Sequence, residues 1–398
     1  MKILFCSRWF PYPPDNGSRI RVFNLIKHLS SRHEIDLVSF TSKPLSNEHL
    51  NAMRHYCQRV DVIPYRLFQP GRLKALLGFL STQPRSVVDT YSPEMYNLIQ
   101  EAKRRSQFDL AIAELDTAPY LLVLPNTPKL LDELQLTVLY ENFTRQTQPL
   151  RRLRHWLTWW KLSRYITQLL SNYNGCLVAS EQERNRVQAV APPTCSVGVI
   201  PNGVDTNFYT ANDFIKPEPD TLVYSGALTF NANFDAMHFF LQEIFPLIRA
   251  KRPNVKLFIT GKLDGVPIDR LPDTDGVVFT GYLDDIRPKI AQSWVSIVPL
   301  QIGGGTRLKI LESLALGTPV VATSKGAEGL DLAPGHDLLI ADDPADFAAA
   351  VLRLLQDAKL RETLNNNGRL AIKKYDWHTI GQDFCDFVEK IAVRGQSV

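Results

Sequence analysis

The chain has few cysteines, and their placement argues against a protein held together by disulfides or by a zinc ion. The five cysteines are Cys6, Cys57, Cys176, Cys195 and Cys385. Their number is odd, they are widely scattered, and no two of them form a CxxC pair. This pattern argues against a disulfide framework and against a zinc site. A reducing, cytoplasmic environment is therefore the default expectation.

Long apolar runs are absent as well. No stretch approaches the roughly 18 consecutive apolar residues that a membrane-spanning helix needs. The apolar run in the N-terminal segment MKILFCSRWFPYPP is too short and is interrupted too soon for a signal peptide. It predicts the first strand of a sheet instead.

Two glycine signatures of nucleotide binding are missing. The sequence contains no GxxxxGKS or GxxxxGKT loop, and no GxGxxG follows a strand pattern. These absences argue against a nucleotide hydrolase with a phosphate loop and against a dinucleotide-binding enzyme with the usual fingerprint.

Length and composition are those of an ordinary globular protein of two domains. The 398 residues exceed what one core usually holds and suit two domains of roughly 150–200 residues. The hydrophobic fraction is 44% and the charged fraction 22%. A net charge of +4 is compatible with anionic ligands without identifying one.

Two series of short apolar runs alternate with helical patterns along the chain. Runs this apolar, separated by amphipathic helices, predict mostly parallel sheets covered on both faces. Residues 206–220 break the rhythm with two prolines and predict a linker. We therefore expect two doubly wound domains at 1–205 and 221–376, with a cleft between them and ligands beyond the carboxyl ends of the strands. The predicted strands are KILFCS, EIDLVSF, RVDVIPY, DLAIAEL, KLLD, GCLVAS and VGVIPNG, then TLVYSG, VKLFITG, VVFTGY, WVSIVPL, PVVATS and DLLIA.

The segment QIGGGTRLKILESLALGTPVVATSKGAEGL, residues 301–330, predicts an anion site. Three consecutive glycines let the backbone approach a ligand closely. A helix starting near Thr306 would point its N–H groups and its positive dipole end at the same place. Arg307 and Lys309 add positive charge, and Glu312 lies on the side of the helix that carries Lys309. The alternative is an ordinary strand–turn–helix unit in which Glu312 is merely solvated.

The same segment resembles the donor-site motif of family-4 (group 1) glycosyltransferases, which have the GT-B fold. In that motif two glutamates separated by seven residues precede a helix of small residues and GTPVVA. LESLALGTPVVATSKGAEGL matches the second half, with Glu312 as the second glutamate, whereas Gly304 stands in place of the first. The resemblance implies two Rossmann-like domains facing across a cleft. It also implies that a C-terminal helix, residues 377–398, packs back on the first domain.

The resemblance implies a donor site drawn from several loops. Relatives usually carry an arginine and a lysine after the glycine that corresponds to Gly226, but this loop has no cation. Arg307 and Lys309 are the expected replacements, since two phosphates without a metal need counter-charge. The expected donor-binding residues are Gly17, Gly226, Tyr282, Gly304, Gly305, Thr306, Arg307, Leu308, Lys309 and Glu312.

Acidic residues of the first domain are the candidates for acceptor binding and catalysis. Many relatives have a catalytic histidine where this chain reads AIAELDTAPYLL, which contains none. Glu114 and Asp116 lie in that stretch, and Asp132 and Glu133 follow the next strand. The alternative is that these carboxylates only cap helices or turns.

Residues 151–166, RRLRHWLTWWKLSRYI, mix five cations with three tryptophans and a tyrosine. As a helix this segment could lie on an anionic membrane with its indoles at the level of the headgroups. The alternative is an amphipathic helix whose tryptophans belong to the core. Nucleic acid is not expected as a partner, because no nucleic-acid-binding motif accompanies the cations.

The resemblance implies a retaining, metal-independent hexosyltransferase. It would move a sugar from a nucleotide-diphosphate donor to a hydroxyl of a glycan or lipid-linked acceptor, without a cofactor, in polysaccharide or glycolipid assembly. The expected location is the cytoplasm, at the inner face of the membrane. Two alternatives stay open: a GT-B nucleotide-sugar 2-epimerase, which would need acidic residues at the sugar and no acceptor groove, and a non-catalytic partner protein that keeps only the fold.

Overall fold

The computed structural model describes residues 1–210, 216–272, 275–305 and 307–396, with side chains through residue 394. The chain divides into two compact units. The first comprises Met1–Asn202 with Ile380–Val398, and the second comprises Gly203–Thr379.

The first unit is a parallel sheet of seven strands. In sheet order the strands run β3-β2-β1-β4-β5-β6-β7, and every neighbouring pair is parallel. β1, β4, β5 and β6 are almost entirely buried, as expected for apolar strands covered on both faces. The strands are β1 Lys2–Ser7, β2 Glu34–Thr41, β3 Arg59–Pro64, β4 Leu110–Glu114, β5 Lys129–Asp132, β6 Gly175–Val178 and β7 Ser196–Val199.

Eight helices of the first unit connect these strands. A crossover between parallel strands needs such a connection, although the one from β4 to β5 contains only a 3-10 helix, Ala118–Val123. The helices are α1 Gly17–Leu29, α2 Asn47–Arg54, α3 Leu73–Leu77, α4 Arg85–Thr90, α5 Pro93–Arg105, α6 Thr137–Thr144, α7 Pro149–Leu170 and α8 Glu181–Gln188.

The second unit is a parallel sheet of six strands in the order β10-β9-β8-β11-β12-β13. Its strands are β8 Glu218–Ser225, β9 Lys256–Thr260, β10 Val277–Gly281, β11 Ser293–Val298, β12 Val320–Ala322 and β13 Leu339–Ile340. Its helices are α9 Asn231–Phe239, α10 Phe245–Lys251, α11 Arg287–Gln292, α12 Leu308–Ala315, α13 Pro344–Gln356 and α14 Ala358–Ala371.

The last helix, α15 Trp377–Gln396, carries the chain from the second unit into the first. A Cβ placed on Gly381 would lie 2.2 Å from the His28 ring of α1, and one on Gly198 would lie 2.5 Å from Phe387 of α15. Glycines at both places therefore allow close approach between α15 and the body of the first unit.

All thirteen predicted strands are confirmed, as is the α/β class with two parallel sheets. Two predicted boundaries are wrong. β8 begins at Glu218, inside the segment predicted as a linker, because Glu218 already pairs with Ser293 of the neighbouring strand β11. α12 begins at Leu308 rather than near Thr306, since Arg307 has a non-helical backbone with φ −85° and ψ 65°. Thr306 itself lies outside the described residues.

Within the described ranges, no helix is both long enough and apolar enough to cross a membrane. α7 presents a mixed face: Tyr165 is buried and Trp159 packs against the core, whereas Trp156 and Trp160 are exposed. The exposed Trp156 and Trp160 thus fit the membrane-contact interpretation of residues 151–166, and the packed Trp159 and Tyr165 fit the core-helix interpretation.

Candidate functional site

The second unit gathers polar groups beyond the carboxyl ends of β8 and β11, which are neighbours in the sheet. Gly226 follows β8 directly, and Gly303–Gly305 lie between β11 and α12. Gly303 and Gly305 have φ angles of 109° and 81°, a region that side chains with a Cβ rarely adopt. The glycine run therefore shapes a turn that leads into the N-terminus of α12, where anions bind readily.

Lys309 brings a cation from α12 to the loop after β8. Its Nζ lies 2.8 Å from the Tyr224 hydroxyl and 3.0 Å from Oδ1 of Asn233. A Cβ on Gly226 would lie only 3.0 Å from this Nζ. The structure thus places Lys309 beside the loop after β8, and its role as a replacement for the missing cations of that loop stays a prediction.

Burial, reinforced by the nearby charge of Arg307, lowers the pKa of Lys309 to about 7. The carboxylate of Glu312 acts in the opposite direction. Because a bound diphosphate would stabilise the charged ammonium, ligand binding and protonation of Lys309 should be linked.

Arg307 contacts the main chain of the glycine loop. Its guanidinium donates to the carbonyls of Gly303 at 3.0 Å, Gly304 at 3.1 Å and Lys325 at 2.9 Å. It lies 3.8 Å from a carboxylate oxygen of Glu328. The geometry shows that Arg307 holds the loop in shape, and its expected role as counter-charge for phosphate stays a prediction.

Glu312 is held by a residue that sequence reasoning missed. The Tyr209 hydroxyl donates to Oε1 of Glu312 at 3.0 Å, across 103 positions of the chain. The Tyr209 ring packs against a buried cluster of Val223, Ile290 and Leu316. Burial raises the pKa of Glu312, while the hydrogen bond from Tyr209 and the charge of Lys309 lower it. Tyr209 thus both orients the carboxylate and favours its ionised form.

The remaining donor-binding predictions fall in separate places. Tyr282 follows β10 and is 64% exposed, with Nζ of Lys262 lying 5.3 Å from its ring centre. Leu308 is the first residue of α12 and is partly buried. Gly17 begins α1 in the first unit, directly after the cap Asn16. Their roles in donor binding stay predictions.

In the first unit, Glu114 and Asp132 are register partners at the carboxyl ends of β4 and β5. Asp132 receives two hydrogen bonds from Arg21, one from Nε at 3.0 Å and one from Nη2 at 2.6 Å. Neither side chain of this pair is exposed. The same guanidinium donates to the carbonyl of Ile200 at 2.8 Å and to Oδ1 of Asn202 at 3.1 Å. Both oxygens of Asp132 are thus engaged in an internal ion pair.

Glu114 differs from Asp132 in its surroundings. It accepts a hydrogen bond of 2.5 Å from the backbone N–H of Arg8, and burial raises its pKa to about 8. Glu133 lies close by with a left-handed φ of 55°, a strained conformation for a residue with a side chain. Burial raises the pKa of Glu133 as well. Strain and perturbed carboxylates cluster at functional sites, so Glu114 stays a candidate catalytic residue and Glu133 stays a candidate for binding acceptor hydroxyls.

Among the described residues no group of three or more histidine, cysteine, aspartate or glutamate side chains is arranged to hold a metal ion.

Comparison with known proteins identifies the family. Residues 219–357 match the family model described as "Glycosyl transferases group 1". This match places the second unit in the group 1 glycosyltransferase family. The matched residues include the glycine loop, Lys309 and Glu312. The polar groups described above therefore lie within the part of the chain that is similar to these enzymes, which use nucleotide-sugar donors.

Two curated relatives show how far the similarity extends. An "Uncharacterized 44.6 kDa protein in cps region" of Klebsiella pneumoniae is 22% identical over 395 residues, covering 94% of this chain and 96% of that protein. A "Phosphatidyl-myo-inositol mannosyltransferase" of Mycobacterium tuberculosis is 27% identical over 215 residues, which cover 50% of this chain and 55% of the relative. The second alignment therefore spans about half of each protein.

Solved structures confirm the GT-B fold for this glycosyltransferase. Sucrose-phosphate synthase from Thermosynechococcus elongatus superposes with a TM-score of 0.71 at 16% identity, over 99% of this chain and 100% of that one. Anabaena Alr3699/HepE in complex with UDP and glucose gives 0.66 at 16% identity, over 98% and 100%. At such identities the likeness shows the fold alone.

Removing the Tyr209 hydroxyl should weaken donor binding by this glycosyltransferase. In Tyr209→Phe the ring stays but the hydrogen bond to Glu312 is lost, and such bonds to charged groups are worth about 1.5–3 kcal/mol. We expect nucleoside diphosphate affinity, measured by calorimetry, to fall about tenfold. Because the pKa of Glu312 rises when the bond is lost, the deficit should grow as the pH is lowered.

The matched control is Tyr96→Phe, which removes an exposed hydroxyl in the first unit. We expect it to bind as the wild type does. Equal affinity and an unchanged pH profile in Tyr209→Phe would show that Glu312 does not depend on Tyr209.

Proposed function

We propose that this glycosyltransferase transfers a hexose from a nucleotide-diphosphate donor to a hydroxyl of a glycan or lipid-linked acceptor, with retention at the anomeric carbon. The observation that carries the proposal is Lys309, which lies against Tyr224 and Asn233 beside the glycine loop. Charge develops on the diphosphate as the sugar–phosphate bond breaks. A fixed cation and backbone N–H groups aimed at that charge lower the barrier.

Different residues of the donor site would contact the diphosphate, the ribose and the base of the donor. Lys309 and the backbone of Gly304 and Gly305 would contact the diphosphate, since glycines admit it closely. Glu312, oriented by Tyr209, would accept hydrogen bonds from the two ribose hydroxyls, because a carboxylate has two acceptor oxygens. Tyr282 would lie on the base.

The first unit would supply the acceptor side of the reaction. Glu114 and Glu133 are carboxylates with raised pKa values near the carboxyl ends of parallel strands, where ligands of such sheets bind. Since its pKa is raised to about 8, Glu114 can donate a hydrogen bond to an acceptor hydroxyl when protonated and accept one when ionised. Asp132 would position this region through its pair with Arg21 instead of touching the acceptor.

Assembly of cell-surface polysaccharide or glycolipid is the process that the relatives support. One relative comes from a cps region, one is named for a phosphatidyl-inositol acceptor, and a structural neighbour is described as "a glycosyltransferase involved in lipopolysaccharide biosynthesis". We infer that the protein works in the cytoplasm at the membrane surface, with residues 151–166 facing anionic lipid. The exposed Trp156 and Trp160 among the arginines of α7 support that contact.

The test is incubation with UDP-, GDP- and ADP-linked hexoses, followed by NMR of the products. Transfer or slow hydrolysis with retained anomeric configuration supports the proposal. Inversion at C2 of the donor sugar would assign an epimerase. If none of the three nucleotide sugars is bound or changed, the chain is a non-catalytic partner protein.

Chelation should leave the reaction intact. We expect the rate measured in excess EDTA to equal the untreated rate, because Lys309 and the helix N-terminus supply the positive charge at the diphosphate. A loss of activity that added magnesium restores would contradict this part of the proposal.

A further inference from the structure

Exposed apolar side chains of the first unit concentrate in two segments. The first segment, residues 66–85, contains α3 and the turn after it and is called the α3 segment. The second comprises residues 149–161 of α7. Leu80, Leu150 and Leu73 are 89%, 85% and 73% exposed, values that are unusual for leucine in a globular protein. The other exposed apolar residues there are Leu67, Phe68, Leu76, Leu77, Phe79, Leu153, Trp156, Leu157 and Trp160.

Hydrogen bonds join the two segments into one surface. Nζ of Lys161 in α7 donates to the carbonyls of Phe79 at 2.9 Å and Ser81 at 3.0 Å. The guanidinium of Arg85 stacks on the Phe79 ring at 3.9 Å. The exposed leucines of the α3 segment and the tryptophans of α7 therefore belong to a continuous patch.

The patch is basic because acidic residues are missing from its sequence. No aspartate or glutamate occurs between residues 62 and 88, or between residues 142 and 180, although the chain has 41 in total. The cations in these stretches are Arg66, Arg72, Lys74, Arg85, Arg145, Arg151, Arg152, Arg154, Lys161 and Arg164. Arg72 pairs with Asp89 and Arg145 with Glu141, and the other cations leave an excess of positive charge around the apolar side chains. Such a surface fits a partner with an apolar interior and an anionic face, which is a bilayer of anionic lipid.

We propose that the α3 segment and α7 together form the membrane-docking surface, with Phe79 and Leu80 inserted among the acyl chains and the indoles of Trp156 and Trp160 at the headgroups. The proposal rests on the membrane contact inferred above for residues 151–166. It goes beyond that contact by making the α3 segment the inserted element. The two hydrogen bonds donated by Lys161 then hold the α3 segment against α7.

The test is cosedimentation of the full chain with vesicles of phosphatidylglycerol and phosphatidylcholine, compared with vesicles of phosphatidylcholine alone. We expect binding only to the anionic vesicles, weakened by high salt. Leu80→Glu and Trp160→Glu should each reduce the bound fraction at least tenfold. The matched control is Leu370→Glu, which changes a leucine that is 63% exposed in the second unit and should not affect binding.

Vesicle binding and donor hydrolysis are measured independently, so this inference can fail while the proposed enzymatic function stands, and the reverse. Vesicle binding needs no catalysis, and Leu80→Glu should keep the wild-type rate of donor hydrolysis in solution. If Trp160→Glu abolishes binding while Leu80→Glu does not, the α3 segment is not the inserted element. If no variant changes vesicle binding, this surface does not dock to lipid and the inference is overturned. It is also overturned if Leu80→Glu dissolves a dimer seen by ultracentrifugation without lipid, because the surface then serves a second copy of the chain.

Discussion

Replacing Lys309 with methionine should lower kcat/KM for sugar transfer by about 10²–10³-fold, the usual cost of losing one preorganised group that stabilises transition-state charge. Methionine keeps the approximate length of the side chain but loses the ammonium that contacts Tyr224 and Asn233. The measurement is steady-state kinetics with the donor that the wild type accepts.

The control for this variant is Lys251→Met, which removes an exposed lysine from α10 of the same unit and should leave kcat/KM unchanged. Because the pKa of Lys309 lies near 7, wild-type affinity for a nucleoside diphosphate should weaken between pH 7 and 9 as the ammonium loses its proton. Lys309→Met should show no such dependence. If wild type and variant have equal rates, the cation at the diphosphate is supplied from elsewhere.

Replacing Arg21 with alanine should destabilise the first unit by about 3–5 kcal/mol, because it leaves the carboxylate of Asp132 buried without its partner. The substitution also removes the donors to Ile200 and Asn202, which lie where the chain leaves β7. The free energy of unfolding would be followed by urea titration with a probe in the first unit, since a chain of two units need not unfold in one step.

The matched control lies on the same helix. Arg19 pairs with Asp15 at 2.9 Å, and Asp15 is solvent-exposed. Exposed pairs contribute about 1 kcal/mol or less, so Arg19→Ala should barely change the free energy of unfolding. A comparably small effect of Arg21→Ala would mean that water or rearrangement solvates Asp132 in the variant.

The strands were predictable from the sequence because local patterns determine them. Each is an apolar run bounded by a turn signal, and burial on both faces of a parallel sheet produces that pattern directly. The start of α12 was less predictable. Leu308 and Arg307 are both compatible with a helix. The Arg307 guanidinium binds the nearby carbonyls of Gly303 and Gly304, and a third contact, to the carbonyl of Lys325, comes from beyond α12.

One part of the candidate site could be recognised from the sequence because its residues form a continuous motif. The glycine loop, Lys309 and Glu312 are neighbours in sequence, so a motif displays them together. Arg21 and Tyr209 could not be recognised in that way. Arg21 meets Asp132 across 111 positions, and Tyr209 meets Glu312 across 103. Polar pairs of this kind arise from the folded topology, and one sequence carries no local sign of them.

The central claim is that the glycine loop, Lys309 and Glu312 hold a nucleotide-sugar donor through its diphosphate. Calorimetric titration of UDP, GDP and ADP into the wild type and into Lys309→Met tests it most directly. We expect one of the three to bind the wild type saturably, and Lys309→Met to bind the same nucleotide at least tenfold more weakly. Absence of binding by all three, or equal affinity in the two proteins, would contradict the claim.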